Sequence, residues 1–285
     1  NGRISGRSMR RYSLIKRFTT RMLLQIRKFC MQSKIDRERI ISMGAIPKRV
    51  VITGNTKYDQ TYAEVSEEER AKLRREFRFE GKGPIIVAGS THGGEEEIVV
   101  RTFGKVLEKY PDARLLLAVR EITRAASVRF MIKHQGYTVL RRSKMGTDED
   151  DGKGAQIVIL DTIGELGRLY SLADVVFVGG SFVKVGGHNI LEPAAHGKPV
   201  LVGPYMFNFQ EIFELLSQRG VCIMTPDEKS FETTLLDLLG NPEKMKKMGE
   251  AALEVVHENQ GATERNIASF EELVKEYGIK LRENA

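Results

Sequence analysis

From residue 50 onward, short apolar runs alternate with stretches whose apolar positions recur every three or four residues. The runs at 50–53, 85–88, 115–119, 137–140, 157–160, 175–178, 200–202 and 221–224 are rich in Val, Ile and Leu. A strand with one wet face alternates apolar and polar residues, whereas a run this continuous suits a strand covered on both faces. Separated by helical patterns, these runs predict a doubly wound parallel sheet of the α/β class. The helix boundaries carry their own marks. Ser66 and Glu69 have capping-box spacing, Gly44 closes a helix that starts near Ser33, and Gly220, Gly240 and Gly261 punctuate the later helices. Residues 141–154 are polar and aperiodic, as in a surface loop. The 285-residue length admits about two domains at ~150 residues each. The expected division is 1–60, the remnant of one α/β domain; 61–268, a Rossmann-like domain; and 269–285, a C-terminal helix packing back on the first.

The first 35 residues follow another rule. Tyr12, Ile15, Phe18, Met22, Leu23, Ile26 and Phe29 recur at helical spacing, with arginines around the other side. This segment holds ten basic residues and no acid, so the formal charge of +7 leaves the rest of the chain with 35 basic against 38 acidic residues. A basic amphipathic helix suits anionic lipid headgroups, and equally a helix that packs its stripe on a core. The basicity is local and lacks stacking aromatics, so nucleic acid is not an expected partner. With 41% hydrophobic and 29% charged residues, disorder is excluded as the main theme, and no apolar run approaches the ~20 residues of a membrane span. Cys30 and Cys222 stand far apart, and the five histidines have no HExxH spacing, so neither a disulfide framework nor a metal site is expected. Walker A, GxGxxG and GxSxG sequences are also missing. Residue 1 is Asn, and the chain is expected to begin inside a longer product.

Ligands of open α/β sheets bind beyond the carboxyl ends of the strands. After 85–88 comes Gly89-Ser90-Thr91-His92-Gly93-Gly94, followed by a helix opening with Glu95, Glu96 and Glu97. Small hydroxyl residues before a helix suit an anion or a sugar hydroxyl, or simply a capped turn. After 175–178 comes Gly179-Gly180-Ser181, and Gly186-Gly187-His188-Asn189 then opens a helix over 190–196. Paired glycines let backbone N–H groups approach a phosphate, and Glu192 in the first turn is placed to accept from ribose hydroxyls. Glycines also make loops that are tight for packing alone, and that alternative stays open. Asp161 to Leu166, with Gly164 and Glu165, and Gly203 to Phe209, with Asn208, are weaker candidates on the same edge.

Gly54-Asn55-Thr56-Lys57-Tyr58-Asp59, Gly89-Ser90-Thr91-His92, Asp161 to Leu166, and Gly179-Gly180-Ser181 through Gly186-Gly187-His188-Asn189-Ile190-Leu191-Glu192-Pro193 occur together and in order. In this combination the chain closely resembles 3-deoxy-D-manno-octulosonic acid (Kdo) transferases, along essentially its whole length. The resemblance implies a GT-B type fold: a Rossmann-like donor domain plus the tail of a second α/β domain. It implies transfer of Kdo from CMP-Kdo to a lipid A precursor, in lipopolysaccharide inner-core synthesis at the cytoplasmic face of the bacterial inner membrane, with no cofactor and no metal. Ser90, Thr91, His92, Arg120, Gly164, Glu165, Gly180, Ser181, Gly186, Gly187, His188, Asn189 and Glu192 would bind the donor, and Asn55, Lys57 and Asn208 would border an interdomain cleft. The basic segment near residues 3–28 would meet the anionic membrane, and the catalytic base would lie outside this chain. The chain departs from the family's Pro-Arg-His-Pro at Val119-Arg120-Glu121-Ile122, which keeps the arginine alone. Lys184 is given no role. The alternatives are a UDP-sugar transferase or 2-epimerase of the same fold, and a non-catalytic module that binds a nucleotide sugar or a lipid surface.

Overall fold

The computed structural model describes residues 1–60, 65–79, 81–148, 150 and 153–278. The chain divides into two compact units, residues 1–61 with 257–285, and residues 62–256.

In the first unit β1 (Phe29–Met31) and β2 (Val50–Ile52) pair in parallel, with Phe29 opposite Val50. The crossover between them is α3 (Lys34–Ser42), capped by Ser33 Oγ, which accepts the Asp36 N–H at 3.1 Å. Asp36 is wholly buried and accepts the Ile4 N–H at 2.8 Å and the Ser33 hydroxyl at 2.7 Å. Ile4, Phe29, Met31, Ile40 and Val50 close a small core around it.

The amphipathic segment is two helices where the periodicity predicts one: α1 (Gly6–Ser13) and α2 (Lys16–Leu24). Ser13 Oγ donates back to the Arg10 carbonyl at 2.7 Å, and the N–H groups of Leu14 and Ile15 turn to carbonyls three residues behind. These bonds compete with helix continuation and end α1. Phe29 leaves the stripe altogether and lies in β1. Leu23 packs against the core, while Tyr12, Ile15, Phe18, Met22 and Ile26 are exposed.

The same unit contains α12 (Ala262–Glu276). Asp59 caps it from across the sequence, accepting the N–H groups of Gly261 at 2.7 Å, Ala262 at 3.3 Å and Thr263. Arg265 Nε donates to the Thr53 carbonyl at 2.8 Å, and Lys28 pairs with Glu272. The boundary expected at 268/269 falls inside α12, all of which belongs to this unit; the division lies at 256/257, in the last turn of the preceding helix. Residues 279–285 of the expected terminal helix lie outside the described residues.

The strands of the second unit are β3 (Ile85–Thr91), β4 (Arg114–Val119), β5 (Val139–Arg141), β6 (Ile157–Leu160), β7 (Val175–Val178), β8 (Val200–Val202) and β9 (Cys222–Met224). All pair in parallel, in the order β5-β6-β4-β3-β7-β8-β9. Leu115, Leu116 and Leu117 are all fully buried although successive side chains point to opposite faces, as the continuous apolar runs require. Helices α4 (Glu67–Glu76), α5 (Glu95–Lys109), α6 (Ala125–His134), α7 (Leu166–Leu169), α8 (Leu191–Ala195), α9 (Gln210–Gln218), α10 (Glu228–Leu239) and α11 (Pro242–Glu258) join and follow the strands. In the core, Phe177 of β7 lies 5.1 Å from the Phe231 ring of α10 and 5.5 Å from that of Phe182.

Three elements differ locally from the sequence reading. β3 runs on through Gly89 to Thr91, its register slipping after Ala88 where Ser90 takes φ 57°. β5 starts two residues late because Tyr137 packs 6.4 Å from the Phe103 ring and the Gln156 side chain takes the Thr138 N–H. The helix expected over 190–196 is shorter, with Ile190 as its N-cap residue. The polar segment 141–154 opens with the last residue of β5 and a single turn over Arg142–Lys144; residues 149, 151 and 152 lie outside the described residues.

Candidate functional site

From β3 the sheet grows one way through β4, and the chain returns to β3's other flank at β7. The loops after β3 and β7 are thus neighbours at the point where strand order reverses, the usual ligand crevice of an open α/β sheet. Glu95, the first residue of α5, joins them. It is wholly buried, and its carboxylate accepts the N–H groups of His92 at 2.9 Å, Gly180 at 2.7 Å, Ser181 at 2.9 Å and Phe182 at 2.8 Å. Glu96 is equally buried and pairs instead with Arg124, at 2.8 and 3.2 Å. Sequence reasoning missed Glu95, because a run of three glutamates at a helix start reads as favourable charge on a helix dipole.

Above this clamp two histidines meet. The Nε2 atoms of His92 and His188 are 2.8 Å apart, with parallel rings 5.1 Å between centroids. One imidazole must donate and the other accept, so the contact forms only when at least one ring is neutral. Burial, then the charges of His92 and Arg120, push the His188 pKa down to about 4. Arg120 is exposed just past the end of β4, with its backbone N–H on the Thr91 carbonyl at 2.9 Å.

The glycine pair works differently from the expectation. The N–H groups of Gly186 and Gly187 both donate to the Gly180 carbonyl, at 3.1 and 2.8 Å, so they do not point at a ligand. Gly186 has φ 103° and a Cβ there would come within 2.6 Å of Asn208 Nδ2, which itself donates to the Val185 carbonyl at 2.9 Å. Close approach of neighbouring side chains, rather than of a phosphate, requires this glycine. Among the described residues no partner is found for the N–H groups of Val183, Lys184, His188, Asn189 and Ile190; of these, His188 and Asn189 directly follow the glycine pair. The hydroxyls of Thr91 and Ser181 likewise turn to the protein. Both are buried; Thr91 Oγ1 turns to the Ala118 carbonyl at 3.4 Å, and Ser181 Oγ donates to Val178 and accepts the Gly203 N–H at 2.9 Å. Ser90 and His92 remain partly exposed on the loop.

On the other side of His188, Asn189 Oδ1 accepts the Leu191 N–H at 3.1 Å and Nδ2 donates to Glu192 Oε1 at 3.0 Å. Asn189 therefore caps α8 and orients Glu192, which is half-buried beside Gly167 and whose charge adds to burial in raising the pKa of Tyr170. Glu165 is different. Burial works to raise its pKa, but hydrogen bonds from Arg142 and Thr162 outweigh it and hold the carboxyl below the usual range. With Arg142 at 3.0 Å and Arg168 at 3.1 Å, this carboxylate is already paired, and Arg142 also binds Glu76 and covers the Phe77 ring at 4.9 Å. Its neighbour Gly164, at φ 89°, has open space around it.

A cavity of about 430 Å³ lined by Arg74, Pro84, Tyr110 and Asp174 opens at the amino ends of β3 and β7. The candidate site is therefore identified by its converging polar groups, at the opposite edge of the sheet.

Residues 1–60 match the family described as 3-deoxy-D-manno-octulosonic-acid transferase (kdotransferase), and residues 147–255 match glycosyl transferases group 1. The chain is 37% identical over 266 residues to the 3-deoxy-D-manno-octulosonic acid transferase of Haemophilus influenzae, covering 93% of this chain and 61% of that protein. The chain is thus similar to Kdo transferases in its first 60 residues and along most of its length. It spans about three fifths of the length of this Kdo transferase relative. The C-terminal CMP-Kdo binding domain of WaaA from Acinetobacter baumannii matches with TM-score 0.59 and 27% identity, over 66% of this chain and 96% of that domain. S. aureus MnaA, solved with UDP, matches at TM-score 0.61 and 14% identity, over 92% of this chain and 64% of that one, and shares the fold. The fold is GT-B type.

Among the Kdo transferase motifs, Gly54 to Asp59 falls in the first unit and the others in the second. Asn55 caps the turn over Thr56–Asp59, its Oδ1 accepting the Lys57 N–H at 3.0 Å. Burial, then the charge of Arg3, lowers the Lys57 pKa. Asn208 belongs to the second unit, where its backbone N–H donates to Gly186 at 3.0 Å and its side chain fixes the glycine loop. No helix of the described residues is long and apolar enough to cross a membrane.

Proposed function

We propose that this chain binds the CMP-Kdo donor of a glycosyltransferase that moves Kdo to a lipid A precursor in lipopolysaccharide synthesis. One observation carries the reading: beyond the carboxyl edge of the sheet the His92–His188 pair, with Arg120 near enough for its charge to act on His188, adjoins Asn189, which holds the Glu192 carboxylate, and the N–H groups of His188 and Asn189 have no partner among the described residues. A nucleotide needs that combination, donors for its phosphate and an acceptor for its ribose diol. Its likeness to a solved CMP-Kdo binding domain supports the choice of nucleotide.

In this reading an acceptor hydroxyl, deprotonated by a carboxylate outside this chain, attacks the anomeric carbon of Kdo. The bond to the CMP phosphate breaks while oxocarbenium-like charge develops on the sugar. Backbone N–H groups, imidazole and guanidinium meet the charge that grows on the departing phosphate, in place of a metal ion. Calorimetric titration with CMP, using UDP as the control, tests the assignment. CMP is expected to bind at least tenfold more tightly than UDP; preference for UDP would point to a UDP-sugar enzyme of the same fold and sink the CMP-Kdo reading.

The exposed residues Tyr12, Phe18 and Met22, set among Arg10, Arg11, Arg17 and Arg21, support an anionic membrane surface as partner, at the cytoplasmic face of the inner membrane. Co-sedimentation with phosphatidylglycerol vesicles is expected at low salt and is expected to weaken at 0.5 M salt. Equal sedimentation with neutral phosphatidylcholine vesicles would remove the electrostatic part of this reading.

A further inference from the structure

An ionised carboxylate offers about four lone-pair directions, and in Glu95 all four are taken by backbone N–H groups. Burying such a charge is costly, and among the described residues no lysine or arginine pairs with it. Glu96, one residue on and equally buried, has Arg124 as its counter-ion. What distinguishes Glu95 is where its bonds lead. One goes to His92 itself. The others fix residues 180–182, and the Gly180 carbonyl then takes the N–H groups of Gly186 and Gly187, immediately before His188. The Gly180 backbone also abuts the His188 ring, where an added Cβ would lie 2.9 Å from Cδ2. Both imidazoles are therefore set by one carboxylate.

We propose that Glu95 is the positioning residue of the donor site, holding the loops after β3 and β7 in register so that His92 and His188 meet Nε2 to Nε2. The proposal rests on the donor-site reading above and adds to it a residue that touches no ligand. Glu95→Gln keeps the volume but turns one oxygen into an NH2 group that faces N–H donors instead of accepting from them. Glu96→Gln is the control, since it removes an equally buried charge without altering the four loop bonds.

The readout is the imidazole ¹⁵N–¹H spectrum of the unliganded 285-residue chain, recorded beside an unfolding curve. The shared, exchange-protected Nε2 proton of the pair is expected in the parent and in Glu96→Gln, and is expected to vanish in folded Glu95→Gln. CMP affinity is expected to fall at least tenfold in Glu95→Gln and to stay within twofold in Glu96→Gln. If Glu95→Gln does not fold, Glu95→Asp, which keeps the charge but shortens its reach to residues 180–182, is read instead, and loss of the shared proton is again expected. A pair signal unchanged in Glu95→Gln, or in Glu95→Asp when that variant decides, overturns the proposal, as does equal loss in Glu96→Gln. If the parent ignores CMP while Glu95→Gln alone loses the pair signal, the positioning role stands and the donor reading is what fails.

Discussion

Gly179→Ala is expected to lower the unfolding temperature of the chain by about 6–12 °C and to weaken CMP binding at least tenfold. A Cβ at residue 179 would lie 2.5 Å from the Ser90 carbonyl oxygen, 2.7 Å from Thr91 Cα and 2.9 Å from Glu95 Oε2. Two of these are backbone atoms of a strand paired on both sides, and the third belongs to a carboxylate held by four hydrogen bonds. None can retreat cheaply, so the cost is about 3 kcal/mol, at the upper end for overpacking. The neighbours that must move are also the ones that hold His92 in place. Gly164→Ala is the informative comparison: at φ 89° with nothing near its absent Cβ, it suffers only the left-handed backbone penalty, about 1–2 kcal/mol. Thermal unfolding and CMP titration of both variants check this, and equal damage from the two would mean that the β3–β7 approach is not the sensitive point.

The strands of the second unit were legible because a covered parallel strand needs apolar residues at every position, and that leaves an unbroken run. Where the reading slipped, a specific side chain had overridden the pattern. Tyr137 belongs to an apolar run but packs on Phe103, and the run pairs only from Val139. The periodicity through Tyr12 to Ile26 holds across a helix break, because a hydroxyl bond from Ser13 changes no apolar spacing.

At the site, sequence identified loops but not bond directions. Glycines at 186 and 187 announced a backbone that approaches something closely, and that something is the Gly180 carbonyl and the side chains of residues 206–208. Likewise Thr91 and Ser181 have the right chemistry for a ligand, but their hydroxyls serve the strand ends instead. The His92–His188 contact spans 96 positions and could not be seen from spacing, since no local periodicity joins the two residues. Glu95 was invisible for the converse reason: nothing in a run of three glutamates tells which one turns inward.

Glu192→Ala is expected to weaken CMP binding by about 10- to 100-fold while leaving the unfolding curve nearly unchanged. The magnitude follows from losing a hydrogen bond between a ribose hydroxyl and a charged acceptor, about 1.5–3 kcal/mol. Glu192 Oε1 is engaged by Asn189, whereas Oε2 has no protein donor among the described residues and is open to a ligand hydroxyl. The fold loses little, since the Asn189 cap on Leu191 uses the other end of that side chain. A second ligand separates diol recognition from a general electrostatic effect. With 2′-deoxy-CMP the parent should bind more weakly, and Glu192→Ala should make little further difference, because the bond it removes is already missing. If instead the variant weakens both nucleotides equally, the carboxylate acts on something other than the 2′-hydroxyl. If it strengthens both, its charge opposes the phosphate, and the division of the site into phosphate donors and a ribose acceptor on α8 is wrong.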